Sequence, residues 1–176
     1  KGILAVGSDS KRDYETLLKA PITGDILIVT SLNLKRYPQS SNVNIVKGSW
    51  QGSEITDLVL RDMYRQSMAV AVPILDVWQP SGYSVTLQAM ACGKPVVLSD
   101  IKGLWDRAVF RSGVNCILVA PGDWVGFGQA LNRLQADEKL RTSMGVAARE
   151  TAINVFGLRR MENGLKKLVD MNFEKP

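Results

Sequence analysis

Eight consecutive residues from Met68 to Leu75, Met-Ala-Val-Ala-Val-Pro-Ile-Leu, carry no charge. A continuous apolar run of this kind suits a parallel strand covered by helices on both faces, because neither set of alternating side chains then meets water. Pro73 lacks an amide hydrogen and is expected near the end of that strand. Other runs of the same type occur at Ile3–Val6, Ile26–Thr30, Val43–Val46, Pro95–Leu98 and Cys116–Val119. Helical patterns separate them. One spans Asp13–Ala20, with Leu17 and Leu18 facing inward. Another spans Ser53–Gln66, with Ile55, Leu58, Val59 and Met63 on one face and Ser53 placed to cap it. A polar loop or short helix leads to Asn42. After Gly82 a helix runs to about Cys92, stopped by Gly93 with Pro95 beyond. Asp123 is placed to cap a helix to about Gln135, and helices near Asp137–Val155 and Leu158–Phe173 close the chain.

Alternating βα units predict an α/β domain: a Rossmann-like, doubly wound parallel sheet with helices on both faces. A length of 176 residues fits one such domain. Ligands of these sheets sit beyond the carboxyl ends of the strands. The segments to search are therefore Gly7–Arg12, Lys47–Gly52, Asp76–Ser84 and Asp100–Trp105. The opening Lys-Gly passes at once into a strand and fits no signal peptide, so the chain reads as part of something longer.

Composition removes several chemistries. There is no histidine, so no histidine base, triad or metal ligand exists in this sequence. Cys92 and Cys116 stand far apart, outside any metal-binding spacing, and read as buried thiols of a reducing cytoplasm. Asp106 is isolated, and no carboxylate cluster offers a metal site. No G-x-G-x-x-G follows the first strand, and Gly93-Lys94 lies at a helix end, which disfavours nicotinamide and P-loop chemistry. A net charge of +5 suits an anionic partner. No block of basic residues and no interleaving of bases with aromatics points to nucleic acid.

The richest segment is Pro80-Ser-Gly-Tyr-Ser-Val-Thr-Leu-Gln-Ala-Met-Ala-Cys-Gly-Lys-Pro-Val-Val97. Ser81 and Gly82 leave the first amides of the following helix uncovered, an arrangement suited to a diphosphate. Ser84 and Gln88 are four residues apart and share one face, Ser84 at the phosphate end and Gln88 a turn deeper, within reach of a ribose. The same residues also fit an ordinary helix with a polar edge. Lys11 and Arg12 by themselves fit a solvated loop pair, and Lys47-Gly48-Ser49 a plain turn. Asp100 fits a loop or cap role better than a binding one. Trp78 and Trp105 fit core or domain-interface aromatics better than cleft walls.

This segment resembles the signature of retaining, family-4-type glycosyltransferases of the GT-B fold, in which two glutamates frame seven residues before Ala-Met-Ala-x-Gly-x-Pro-Val. Gln88-Ala-Met-Ala-Cys-Gly-Lys-Pro-Val96 carries the second part. Further resemblance lies in Gly7, Arg12–Leu18, Gly113–Asp123 and Leu140–Arg149. It implies the C-terminal, donor-binding half of such an enzyme, with the acceptor domain absent from this chain. It also implies that Lys11, Arg12, Gly82, Tyr83 and Ser84 hold the donor diphosphate. Ser81, Val85 and Gln88 would then meet sugar and ribose, Lys47 and Gly48 the base, and Gly7 and Ser8 form the first turn. Pro80 and Gln88 stand where the family has its two glutamates, and Ser8 where an arginine is usual; Arg12 is the favoured substitute.

The expectation is a hexosyltransferase-like activity of polysaccharide assembly, completed by catalytic groups of the partner domain, with no metal or cofactor. The partners implied are a nucleoside-diphosphate sugar and a glycan or lipid-linked acceptor. The setting is cytoplasmic, with peripheral association at the inner membrane face. A donor-binding subunit completed by a second chain, and half of a GT-B sugar-nucleotide epimerase, are the competing readings. In the family the last helix braces the partner domain. Here Leu165, Leu168 and Val169, opposite Lys166 and Lys167, form a stripe that is partly exposed or drives a homodimer.

Overall fold

The computed structural model describes residues 2–35, 42–48 and 55–173. Six parallel strands form one sheet, β1 (Ile3–Val6), β2 (Ile26–Thr30), β3 (Val43–Lys47), β4 (Ala69–Val72), β5 (Val96–Ser99) and β6 (Ile117–Val119). Their order is β3-β2-β1-β4-β5-β6. The helices are α1 (Tyr14–Lys19), α2 (Asp57–Gln66), α3 (Tyr83–Ala91), α4 (Trp124–Ala136), α5 (Glu138–Phe156) and α6 (Leu158–Phe173). The fold is the expected doubly wound one.

Alternation along the strands divides the core into two layers. Ile3, Ala5, Ala69 and Ala71 pack on one face with Leu17 of α1 and Phe127, Leu131 and Leu134 of α4. Leu4, Val70 and Val72 pack on the other with Tyr64 of α2, Met90 of α3 and Ala148 of α5. Both faces of β4 are fully buried, which is why its sequence is apolar throughout. The strand is half as long as the uncharged run because Pro73 ends it. Val96, not Pro95, opens β5, although the Pro95 carbonyl still accepts from Val70 N at 3.0 Å.

Helix starts are set by side-chain caps. Asp13 accepts from Thr16 N, Thr56 from Val59 N, Asp123 from Gly126 N and Asp137 from Leu140 N. The start of α2 at Asp57 corrects the sequence reading. Ser53 lies outside the described residues, as do Ser49 and the rest of the Lys47–Gly52 segment beyond Gly48 and most of the stretch before Asn42. Leu58 and Val59, expected inward, are exposed. The helix is held instead by Leu60, Met63 and the fully buried Tyr64.

Both cysteines are free, but only Cys116 is buried; Cys92, at the end of α3, is half-buried. Trp105 packs edge-on against Phe110 and Phe156, a core aromatic as expected. Trp78 is 78% exposed and so is no core residue of this domain. Leu158, Met161, Leu165, Leu168 and Val169 of α6 are all more than half exposed.

Candidate anion site at the switch point

The winding reverses between β1 and β4, and ligands of such sheets bind outside the strand ends at that point. Here the two loops are stitched together. Asp13 N donates to Pro73 O at 3.1 Å and Leu75 N to Lys11 O at 3.0 Å. Arg12 and Ile74 form an antiparallel bridge between these bonds. This pairing turns Arg12 inward, leaving it 8% exposed. Among the described residues its Nε and Nη1 have no hydrogen-bond partner. Burial pulls the guanidinium below its ordinary value, against the influence of Tyr14, Asp9 and Tyr64.

Two glycines make room for this side chain. Gly7 has φ +140°, and a Cβ there would overlap the Arg12 guanidinium. Gly82 has φ +77°, and its Cβ would stand 3.3 Å from Arg12 Nη1. Gly82 is the N-cap of α3 and supplies no side-chain hydrogen bond. The first bond into the helix is Thr86 N to Gly82 O, 3.0 Å. The amides of Tyr83, Ser84 and Val85 precede it, so α3 presents a helix start of positive potential beside a buried cation.

Ser84 and Gln88 are both exposed on one face of α3, as their spacing predicts. Gln88 Oε1 accepts from Tyr64 OH at 3.2 Å, which orients the amide. Two expected ligands are corrected. The Val85 side chain is 7% exposed, packed in the core, so only its amide faces the helix start. Ser81 is 4% exposed, and its Oγ donates to Asp9 Oδ2 at 2.5 Å, so its hydroxyl is committed to protein. Tyr83 OH donates to Gly103 O and accepts from Trp105 N at 2.8 Å, tying α3 to the 100–105 loop.

The remaining expected residues lie around this centre. Gly7 O accepts from Tyr14 OH at 2.7 Å, and Ser8 Oγ from Ser31 N at 2.8 Å. Lys11 is half-buried at the loop tip. At the end of β3, two strands from β1, Lys47 Nζ donates to Asn33 Oδ1 at 3.1 Å and Gly48 N to Thr30 O at 3.3 Å. Asp100 pairs with Arg107, a loop role. Pro80 is exposed. Beside Arg12 and Tyr14 an open hollow of about 340 Å³ extends to Leu32–Lys35. A larger one of about 450 Å³, lined by Arg65, Arg141 and Arg149, lies at the opposite ends of β4 and β5 and far from the switch point. Asp9, Tyr14 and Tyr64 are the residues that sequence reading did not place in this site.

The fold and the switch-point geometry thus define a Rossmann-like α/β domain with an inward-turned Arg12 beside the start of α3. Residues 6–137 match the family model described as "Glycosyl transferases group 1", and the chain belongs to that family. It is 36% identical over 103 residues to the D-inositol 3-phosphate glycosyltransferase of Salinispora arenicola, covering 58% of this chain and 22% of that one. It is 31% identical over 91 residues to the lipopolysaccharide core biosynthesis glycosyltransferase LpsE of Rhizobium meliloti, covering 52% and 26%. The structure of HepE from Anabaena in complex with UDP-glucose superposes with a TM-score of 0.75 at 17% identity, covering 97% of this chain and 48% of that one. The chain therefore spans about half of that solved relative, and the likeness to a GT-B half expected from Gln88–Val96 stands. Among the described residues no helix is long and apolar enough to cross a membrane.

Proposed function

We propose that this chain is the donor-binding half of a glycosyltransferase that moves a sugar from a nucleoside-diphosphate sugar to an acceptor hydroxyl with retention of configuration. The observation that carries the reading is Arg12: a buried guanidinium with two unpartnered nitrogens, beside the uncapped start of α3. A diphosphate supplies the oxygens that both features lack.

The chemistry asked of this half is electrostatic. As the glycosidic bond to the diphosphate breaks, negative charge grows on the leaving oxygen. Arg12, Lys11 and the amides of Tyr83 and Ser84 stabilise it from fixed positions. This role needs no metal or other cofactor. Gln88, held by Tyr64, takes the ribose, and Lys47 with Gly48 approaches the base. The acceptor, a glycan or lipid-linked hydroxyl, and any general acid or base belong to a second domain. The LpsE likeness supports polysaccharide assembly as the context. A cytoplasmic enzyme drawn to an acidic membrane face fits the net charge of +5.

Calorimetric titration of the chain with UDP, GDP and ADP tests the reading. One nucleotide binds the wild type, and Arg12→Ala weakens it. Equal affinity in wild type and variant, or no binding to any of the three, overturns it.

A further inference from the structure

Asp9 sits at the tip of the β1–α1 loop with its side chain pinned from two sides. Oδ1 accepts from Lys11 N at 2.9 Å, closing a tight turn, and Oδ2 accepts from the Ser81 hydroxyl at 2.5 Å. Ser81 reaches it from the other crossover, 72 positions along the chain. Asp9 is nonetheless an exposed residue. A carboxylate offers about four lone-pair directions, so two remain open. Burial acts to raise its pKa, but the Ser81 and Lys11 hydrogen bonds and the Arg12 charge outweigh that and hold it below the ordinary carboxylate value.

A fixed negative charge beside a diphosphate cradle is a liability for the diphosphate alone, since like charges at close range repel. The loop turn does not require it, because an asparagine closes the same turn. The nearby Arg12 charge favours the carboxylate in the empty site, but a bound diphosphate takes up that charge, and the carboxylate then gains from a ligand that also brings hydrogen-bond donors to the rim of the phosphate site. In a sugar nucleotide, the group beyond the second phosphate is a polyol whose hydroxyls are such donors.

We infer that Asp9 accepts hydrogen bonds from hydroxyls of the transferred sugar, and that Ser81 positions it, so that this pair distinguishes the sugar nucleotide from the free nucleoside diphosphate. This rests on the donor-site reading above. The result is a division of labour around one anchor: Arg12 and α3 hold the phosphates, and Asp9 reads what is attached to them.

The test compares paired ligands on wild type, Asp9→Asn and Ser81→Ala. The base that binds the wild type is used, as free diphosphate and as its sugar esters: UDP with UDP-glucose and UDP-galactose, GDP with GDP-mannose, or ADP with ADP-glucose. Asparagine keeps the Lys11 turn through its Oδ1 and meets Ser81 with the hydrogen bond reversed, its Nδ2 donating to Oγ, while removing the charge. Asp9→Asn is expected to bind the free diphosphate equally or more tightly, and the best sugar ester roughly tenfold more weakly. Ser81→Ala moves the same ratio in the same direction by less, which keeps the test open if one variant folds poorly. Equal weakening of both ligands, no change in either, or a wild type that gains nothing from any sugar overturns the inference. Failure of the wild type to bind any diphosphate is a separate result, and it overturns the donor-site reading itself.

Discussion

Arg12 and Gly82 leave the sheet on crossovers that wind in opposite directions, and Arg12 Nη1 lies 3.3 Å from where a Cβ of residue 82 would be. One half of the sheet contributes the cation, the other the helix start, and neither is complete alone. Removing the guanidinium separates binding from stability. Arg12→Met is expected to lower nucleoside-diphosphate affinity at least about tenfold while raising stability by about 1–3 kcal/mol, because an unpartnered buried charge disappears. Calorimetry and urea unfolding measure the two. A variant that loses stability along with affinity contradicts this account of Arg12.

Gly7→Ala is predicted to fail for two reasons together. Alanine is strained at φ +140°, and its Cβ overlaps the Arg12 guanidinium. The expected cost is about 2–3 kcal/mol, with loss of diphosphate binding. Retention of wild-type stability and affinity in the folded variant would show that the loop accommodates a side chain there.

Tyr64→Phe keeps the buried ring and removes the hydroxyl that orients Gln88 at 3.2 Å. Nucleotide affinity is expected to fall about two- to tenfold, the worth of one hydrogen bond. Gln88→Leu is expected to match it, and the double variant to add little. Additive losses in the double variant would mean that the two side chains act separately.

Alkaline pH acts through three buried acids. Burial raises Tyr14 from 10.0 to about 12 and Cys116 from 9.0 to about 12, and it raises Tyr64 as well. Each favours its protonated form in the folded state. The stability this gives is complete below the unfolded pKa values and vanishes as pH rises through the folded ones. The melting temperature is therefore expected to fall across the interval from about 9 to about 12. At 1.36 kcal/mol per pKa unit, Tyr14 alone accounts for about 3 kcal/mol. Tyr14→Phe is expected to flatten part of the fall. A melting temperature unchanged across that interval would mean that these groups titrate freely in the folded protein.

Helix α6 is expected to be the least stable helix of the chain. All of its residues from Leu158 to Asp170 are exposed, so little apolar burial holds it. Its amides are predicted to exchange hydrogen well before those of α3 and α4. Equal protection would imply that a second surface covers it in solution.

Much of this molecule was legible in its sequence, for local reasons. Ile26–Thr30 is short, apolar and rich in β-branched residues, which suits a buried strand, and Asp123 is a cap readable from its neighbours. Arg12 was preferred to Lys11 on guanidinium chemistry, and the fold buries Arg12. What stayed hidden depends on pairings across the chain. Ser81 looked like a free hydroxyl because its partner, Asp9, is remote in sequence. Asp9 left only a faint signal, an acidic residue two before Lys11 in a glycine-led loop. Tyr64 was not singled out by the helical spacing, and it meets Gln88 only because α2 packs against α3. Leu58 and Val59 turn outward because α2 buries the face that carries Leu60, Met63 and Tyr64 instead.

Gly103 has a further consequence. Its amide donates to Val77 O at 2.8 Å, and its missing Cβ lets the Trp78 backbone lie against it. Lys102 clasps Asp76 with both its amide and its ammonium group. The segments after β4 and β5 are thus welded backbone to backbone, and α3 is tied to the same weld through Tyr83. Trp78, 78% exposed, is therefore carried on a braced backbone rather than on a free loop.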